Sequence, residues 1–246
     1  MKEKIEIFHL LFLQFFGQKI DKSLYAIKGG CNLRFFFGSI RYSEDLDIDF
    51  KTVAPATLKK KVEGLIDSEN FKRSLNSVGL LLEDHSAPKQ TETTQRWKFT
   101  LLEKEGSLRC NTKIEFSRRG MEKGIIYERF PEIYTSKFNF PLFTMVTHYN
   151  GEAAFSQKIM ALIGRMETQA RDIFDLYHLM TLGIKPALNL SSEHLEKAQE
   201  NVMSLGYKDY KSQVVAYLEP TFMDQYESEE IWKKIVSQVL KYLDSK

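Results

Sequence analysis

Apolar residues recur at Ile5, Phe8, Leu11, Phe12, Phe15 and Phe16, the spacing of a core-facing helix that Gly17 can end. Gly30 opens a second short helical pattern through Leu33, Phe36 and Phe37, which Gly38 closes. The period then changes. From Arg41 to Phe50 acidic and apolar residues alternate, with Asp45, Asp47 and Asp49 on one side and Leu46, Ile48 and Phe50 on the other, which predicts a strand. Pro55 starts a helix carrying Leu58, Val62, Leu65 and Ile66. Strand-like runs follow at Val78–Leu82, Trp97–Leu102 and Leu108–Phe116, with Glu103–Ser107 as the turn between the last two. Tyr127–Tyr149, interrupted by Pro131 and Pro141, reads as less regular with a strand over Phe143–Val146.

From about Gly151 only helical patterns remain: Glu152–Arg165, Arg171–Leu182, Ser192–Ser204, Asp209–Leu218 and Ser228–Leu243. The natural division is a mixed domain over residues 1–150 and a helical domain over 151–246. No repeat and no low-complexity linker separates them.

Composition narrows the class. At 43% hydrophobic and 28% charged, the 246 residues suit an ordinary globular protein with ample core material. The net charge of +2 neither requires nor excludes nucleic acid, because a basic patch can sit within a balanced total. Cys31 and Cys110 have no zinc spacing and no secretory context, so they read as reduced thiols in a cytoplasmic protein. The run Leu10–Phe16 is too short to span a bilayer, and its flanks do not resemble a signal peptide, so no membrane is expected.

The candidate chemistry lies where the period changes. On a strand Asp45 and Asp47 project to the same side. Two adjacent carboxylates repel unless a cation sits between them, and oxygen-only ligands suit a hard divalent ion such as Mg²⁺. The Gly29–Gly30 turn before them can bring backbone N–H groups close to a phosphate. Glu115, between Ile114 and Phe116 on a later strand, is the best third carboxylate. Lys158 opens the helical half and can neutralise phosphate oxygens. Arg171 and Asp175, by contrast, also fit a simple helical i,i+4 pair.

Five ordered blocks across about residues 25–180 resemble the AbiEii-type toxin nucleotidyltransferases of the DNA polymerase beta-like superfamily. They are Lys28-Gly29-Gly30-x-x-Leu33-Arg34; Arg41-x-Ser43-x-Asp45-x-Asp47; Lys113-Ile114-Glu115; Lys158-Ile159-x-Ala161-Leu162-x-x-Arg165; and Arg171-Asp172-x-x-Asp175-Leu176. The final helices carry no matching signature. The resemblance implies an α+β fold: a minimal nucleotidyltransferase domain, a mixed sheet with flanking helices, followed by a helical bundle domain. It implies transfer of a nucleoside monophosphate from a nucleoside triphosphate to an acceptor hydroxyl, transfer RNA among the candidates, by the toxin of a toxin–antitoxin or phage-defence system with a cognate antitoxin.

By the same resemblance Asp45, Asp47 and Glu115 hold two Mg²⁺ ions, with Mn²⁺ as a substitute. Gly29, Gly30, Arg41, Ser43 and Lys158 orient the triphosphate, and Asp172 supports Lys158 or the acceptor. One departure stands out. The superfamily's turn is commonly Gly-Ser, whereas this chain has Gly29-Gly30; its literal Gly38-Ser39 lies too close to Asp45 for a helix to intervene. Ser43 is the substitute hydroxyl, and the choice of triphosphate stays open. A non-catalytic nucleotide- or RNA-binding protein on the same fold, or a metal-dependent nuclease, fits the same residues.

Overall fold

The computed structural model describes residues 2–51, 54–104, 106, 108–138, 142–186 and 190–245. It divides into two compact units, Met1–Phe36 with Ser43–Tyr149, and Phe37–Tyr42 with Asn150–Lys246. The short segment Phe37–Tyr42 belongs with the helical unit although the chain around it belongs with the mixed one.

The first unit contains α1 (Lys2–Lys19), β1 (Tyr25–Lys28), α2 (Gly29–Phe36), β2 (Asp45–Phe50), α3 (Pro55–Ile66) and α4 (Glu69–Ser77). These are followed by β3 (Leu80–Gln90), β4 (Thr94–Glu103), β5 (Arg109–Ser117), β6 (Ile125–Arg129), α5 (Glu132–Phe138) and β7 (Met145–Tyr149). The strands form one mixed sheet in the order β3-β4-β5-β2-β1-β7-β6. β2 runs parallel to β5 and antiparallel to β1.

One side of this sheet is the core. Leu46, Ile48 and Phe50 of β2, Trp97, Phe99 and Leu101 of β4, and Ile114 and Phe116 of β5 are all buried there. Helix α1 packs on that side through Phe8, 4.9 Å from Phe99 between ring centroids, and Phe16, 5.3 Å from Phe116. Burying each such ring contributes on the order of 1.5–3 kcal/mol. The alternation therefore fixes the sheet's orientation: with the apolar residues committed to α1, the acids of β2 must face the other way.

Several boundaries differ from the sequence expectation. The strand expected from Arg41 begins only at Asp45. The backbone of residues 40–42 is satisfied elsewhere, by the bridge of Arg41 with Leu218 and the bond from Tyr42 N–H to the Tyr217 carbonyl at 2.8 Å. The strand at Val78–Leu82 starts at Leu80 and runs on to Gln90, with one register shift between Leu82 and Asp84 and a second, between Ser86 and Lys89, that accommodates Pro88. Helix α4 was not expected; Ser68 caps it by accepting from the Phe71 N–H. The region 127–149 resolves into strand, helix and strand, with β7 two residues later than expected at its start. The proposed turn at 103–107 and Pro141 fall partly or wholly outside the described residues.

The second unit contains α6 (Gly151–Gly164), α7 (Ala170–Thr181), α8 (Ser192–Met203), α9 (Tyr207–Gln213), α10 (Pro220–Tyr226) and α11 (Glu229–Asp244). Asn150, Ser191 and Ser228 cap α6, α8 and α11 with side-chain oxygens. Trp232 stacks on Tyr210 with centroids 4.8 Å apart, and Ile235, Val239 and Leu243 continue the buried stripe of α11. The single helix expected over Asp209–Leu218 is α9 followed by a 3-10 turn at Val215–Tyr217, and Pro220 then begins α10. Among the described residues no helix is long and apolar enough to cross a membrane.

Candidate active site

The site begins at the glycine turn. β1 ends at Lys28, whose Cα partner on β2 is Asp47. Gly29 follows with φ at +67°, and a Cβ placed there would sit 3.2 Å from Asp47 Oδ2. Both facts demand glycine: the left-handed backbone and the carboxylate's close approach. Among the described residues, leaving out Gly38 and its chain neighbours, no atom lies within 4 Å of the corresponding point on Gly38, so Gly29, not Gly38, adjoins the acids. α2 starts at this turn, directing its first N–H groups toward the same end of the sheet.

The parallel register of β2 and β5 pairs Asp45 with Lys113 and Asp47 with Glu115. Asp45, Asp47 and Glu115 consequently share one face of adjacent strands. Asp49, next along that face, is spent differently: it is buried, ion-paired to Lys28, and accepts a 2.8 Å hydrogen bond from the Tyr149 hydroxyl. The Asp45 carboxylate meets the Lys113 ammonium at 2.8 Å, and Arg96 pairs with Glu115. Among the described residues Asp47 has no such dedicated cation. Burial, and then the Asp45 charge beside it, push its carboxyl above the usual range against the weaker pull of Lys28.

An ionised pair held in this way favours a cation between its oxygens, so the donor set fits a hard divalent ion. As the side chains stand, Lys113 and Arg96 cover two of the three acids, and among the described residues no three candidate ligands converge on one point.

The strand is also held from behind. His9 Nε2 lies 2.8 Å from Thr112 Oγ1, and that hydroxyl donates to the Glu44 carbonyl at 2.6 Å. The Cys31 thiol donates to the Asp45 carbonyl at 3.3 Å and contacts His9 Nδ1. Burial lowers the His9 imidazole to about 3, so it stays neutral, with Nε2–H the donor to Thr112. Ser43, expected to offer a hydroxyl to nucleotide, instead donates it to the Asp45 carbonyl at 2.9 Å.

Arg41, Lys158 and Asp172 belong to the helical unit and gather in a second cluster. Arg41 grips Asp175 through Nη2 at 3.0 and 2.9 Å. Lys158 Nζ lies 2.6 Å from Asp175 and 3.0 Å from Asp172, while Arg165 Nε approaches the other Asp172 oxygen at 2.9 Å. Both aspartates are fully buried. Burial alone would raise Asp175, but Arg41 and Lys158 hold it well below the usual carboxylate range. Burial alone would lower Lys158, yet Asp175 and Asp172 keep it above its ordinary value.

The sequence reading did not single out His9, Thr112 or Arg96 for the site, and it quoted Lys28 in the first family block without giving it a role. His9 carried one visible signal, a polar residue inside an otherwise apolar helical run. The roles of the other three depend on strand register, which the sequence does not print.

The Nucleotidyl transferase AbiEii toxin, Type IV TA system family model matches residues 11–244. Among solved structures the chain is similar to JHP933 from Helicobacter pylori, at 20% identity and a TM-score of 0.59, covering 99% of this chain and 94% of that one. It is likewise similar to MenT4, a nucleotidyltransferase toxin from Mycobacterium tuberculosis, at 16% identity and 0.59, covering 98% and 83%. At such identities the two structures speak for the fold alone. No curated protein matches the chain. A glycine turn against an aspartate pair, a third acid in register beside it and a family match over nearly the whole length lead to one statement: the chain belongs to the AbiEii nucleotidyltransferase toxin family.

Proposed function

We propose that this protein transfers a nucleoside monophosphate from a nucleoside triphosphate to an acceptor hydroxyl, with Mg²⁺, or Mn²⁺ in its place, held by Asp45, Asp47 and Glu115. The observation that carries this reading is Asp47: a carboxyl pushed upward by burial and by Asp45, with Glu115 its register partner on the next strand. When bound, the metal acidifies the acceptor hydroxyl and neutralises charge gathering on the α-phosphate.

The chain's own groups do the rest. The backbone N–H groups of Gly29 and Gly30 cradle the triphosphate beside Asp47. Glu115 orients the acceptor hydroxyl and receives its proton. The acceptor oxygen forms its bond to the α-phosphorus as the bond to the bridging oxygen breaks, and pyrophosphate leaves. His9, Thr112, Cys31 and Ser43 hold the start of β2 so that Asp45 keeps its aim.

Arg41, Lys158 and Asp172 act in this reading as positioning residues. Contact with the triphosphate would take Arg41 and Lys158 away from Asp175, leaving a buried carboxylate uncompensated. The acceptor is RNA, with transfer RNA the first candidate; the setting is the cytoplasm, and a cognate antitoxin restrains the activity. One observation favours the non-catalytic alternative: the Ser43 hydroxyl is committed to the Asp45 carbonyl, so Ser43 does not replace the serine absent at Gly30.

The test is incubation of the protein with Mg²⁺, each α-labelled nucleoside triphosphate and total RNA. Label is expected in RNA with wild type and not with Asp47→Asn. No label above the Asp47→Asn background with any of the triphosphates would overturn the reading.

A further inference from the structure

A cavity of about 400 Å³ lies on the β3–β4–β5 part of the sheet and shares only Asp45 with the residues assigned above to metal and triphosphate. Its lining includes Asp45, Asp84, Ser86, Lys98, Asn111 and Lys113. Two features mark it as built for an anion. Lys98 and Lys113 are direct cross-strand partners. Like charges placed opposite each other weaken a sheet unless something between them compensates. Lys113 has Asp45, whereas Lys98 has no ion-pair partner among the described residues.

The second feature is a set of neutral donors. Thr100 donates to Asn111 Oδ1 at 3.0 Å, which turns the amide NH₂ of Asn111 free to donate, and Ser86 is the cross-strand partner of Lys98 on the other side. Asp84 repels an anion from its own end of the cavity and so confines it to the lysine end.

We propose that this cavity is a phosphate subsite for the acceptor, formed by Lys98 and Lys113 with Ser86 and Asn111. The assignment to the acceptor rests on the nucleotidyl-transfer reading. In that reading the triphosphate lies at Gly29–Gly30, on the β1 side of Asp47. An in-line attack must come from the opposite side, past Glu115 on β5, and the sheet continues in that direction to β4 and β3. Lys98 lies two strands from Asp45, about 10 Å across the sheet. That separation suits a phosphoryl group one sugar away from the attacking hydroxyl.

The subsite is coupled to the acids. A divalent ion at Asp45 releases Lys113 from its ion pair and makes it available to the phosphate. Cation and phosphate therefore strengthen each other's binding, by reciprocity of linkage.

The test uses inorganic phosphate as the probe, titrated into the full chain at fixed ionic strength and followed by calorimetry or ³¹P NMR. Saturable binding is expected. Lys98→Met should weaken it at least tenfold, and Asp45→Asn, which frees Lys113 and removes a negative charge, should strengthen it severalfold. Wild-type affinity in both variants, or no saturable binding with or without Mg²⁺, overturns the subsite.

A non-hydrolysable nucleoside triphosphate with Mg²⁺ should leave the phosphate bound. Displacement would assign the cavity to the triphosphate tail and overturn the acceptor assignment. The two readings fail separately. Transferred label together with wild-type phosphate binding in Lys98→Met removes the subsite and leaves transfer standing. Tenfold weaker phosphate binding in Lys98→Met, with no label transferred by wild type, does the reverse.

Discussion

The two units each gather aspartates and basic residues, and they treat them in opposite ways. In the helical unit Asp172 and Asp175 are sealed from solvent, and Arg41, Lys158 and Arg165 surround them. Each carboxylate there is ion-paired, although Asp172 Oδ2 accepts no hydrogen bond among the described residues, and Asp175 is held well below its usual range. On β2 the same residue type is left in tension. Asp45 and Asp47 stand side by side, and Asp47 is pushed upward by burial and by its neighbour. A satisfied cluster stabilises the protein that carries it, whereas an unsatisfied one stores a demand for a ligand. Composition cannot tell the two apart, because both are built from aspartate, lysine and arginine.

Asp47→Asn should separate the two most sharply. On the proposed reading it removes a metal ligand, so transfer should fall by about 10³-fold or more, on the order of 4 kcal/mol. A carboxyl whose native pKa is raised contributes stability at low pH that is lost as pH rises through the native value. At neutral pH the ionised Asp47 is thus a cost to the fold, and Asp47→Asn should keep or raise the melting temperature. A lower melting temperature together with unimpaired transfer would place Asp47 among the structural acids.

Asp175→Asn should do the opposite. Arg41 and Lys158 would lose the charge they share, and the helical unit should lose about 3–5 kcal/mol. The chain has two tryptophans, Trp97 in the mixed unit and Trp232 in the helical one, so single-tryptophan variants report each unit during urea unfolding. The Trp232 midpoint should fall. The sign with pH is also opposite: the Asp175 contribution is complete above the unfolded carboxylate range and disappears as pH falls below it. A Trp232 transition indifferent to both the variant and acid would mean that the buried ion pairs carry no net stability.

The smallest effect concerns the support behind β2. His9→Leu leaves the Thr112 hydroxyl without its donor and should cost roughly 1–3 kcal/mol of stability, with a further loss of metal affinity as Asp45 drifts. His9→Gln, whose amide NH₂ can donate to Thr112, should restore metal affinity more than stability. Equal Mn²⁺ binding in wild type, His9→Leu and His9→Gln would reduce the histidine to a packing residue.

Much of this molecule was legible before folding. Alternation of Asp45, Asp47 and Asp49 with Leu46, Ile48 and Phe50 dictated which side of β2 faces α1, because apolar burial leaves the acids only one direction. Four of the helices of the second unit, α6, α7, α8 and α11, followed from their apolar period, whereas α10 did not and the helix expected over Asp209–Leu218 is α9 with a 3-10 turn. Helix α4 and the path of residues 37–42 were not legible. The first is a short amphipathic element without a long period, and the second is held by backbone bonds to residues 217–219, far away in sequence.

The sequence alone determined the residue types, the family blocks and the shared face of Asp45 and Asp47, since these depend on spacing along one strand. Tertiary structure alone decided what each charge does. Register placed Glu115 beside Asp47 and Lys98 opposite Lys113, burial turned Asp49 and Asp175 into structural ion pairs, and the meeting of α1, α2 and β5 built the His9–Cys31–Thr112 support. The physical reason is range. Periodicity is a property of neighbours in sequence, but the energy of a charge is set by what lies within a few ångströms of it in space.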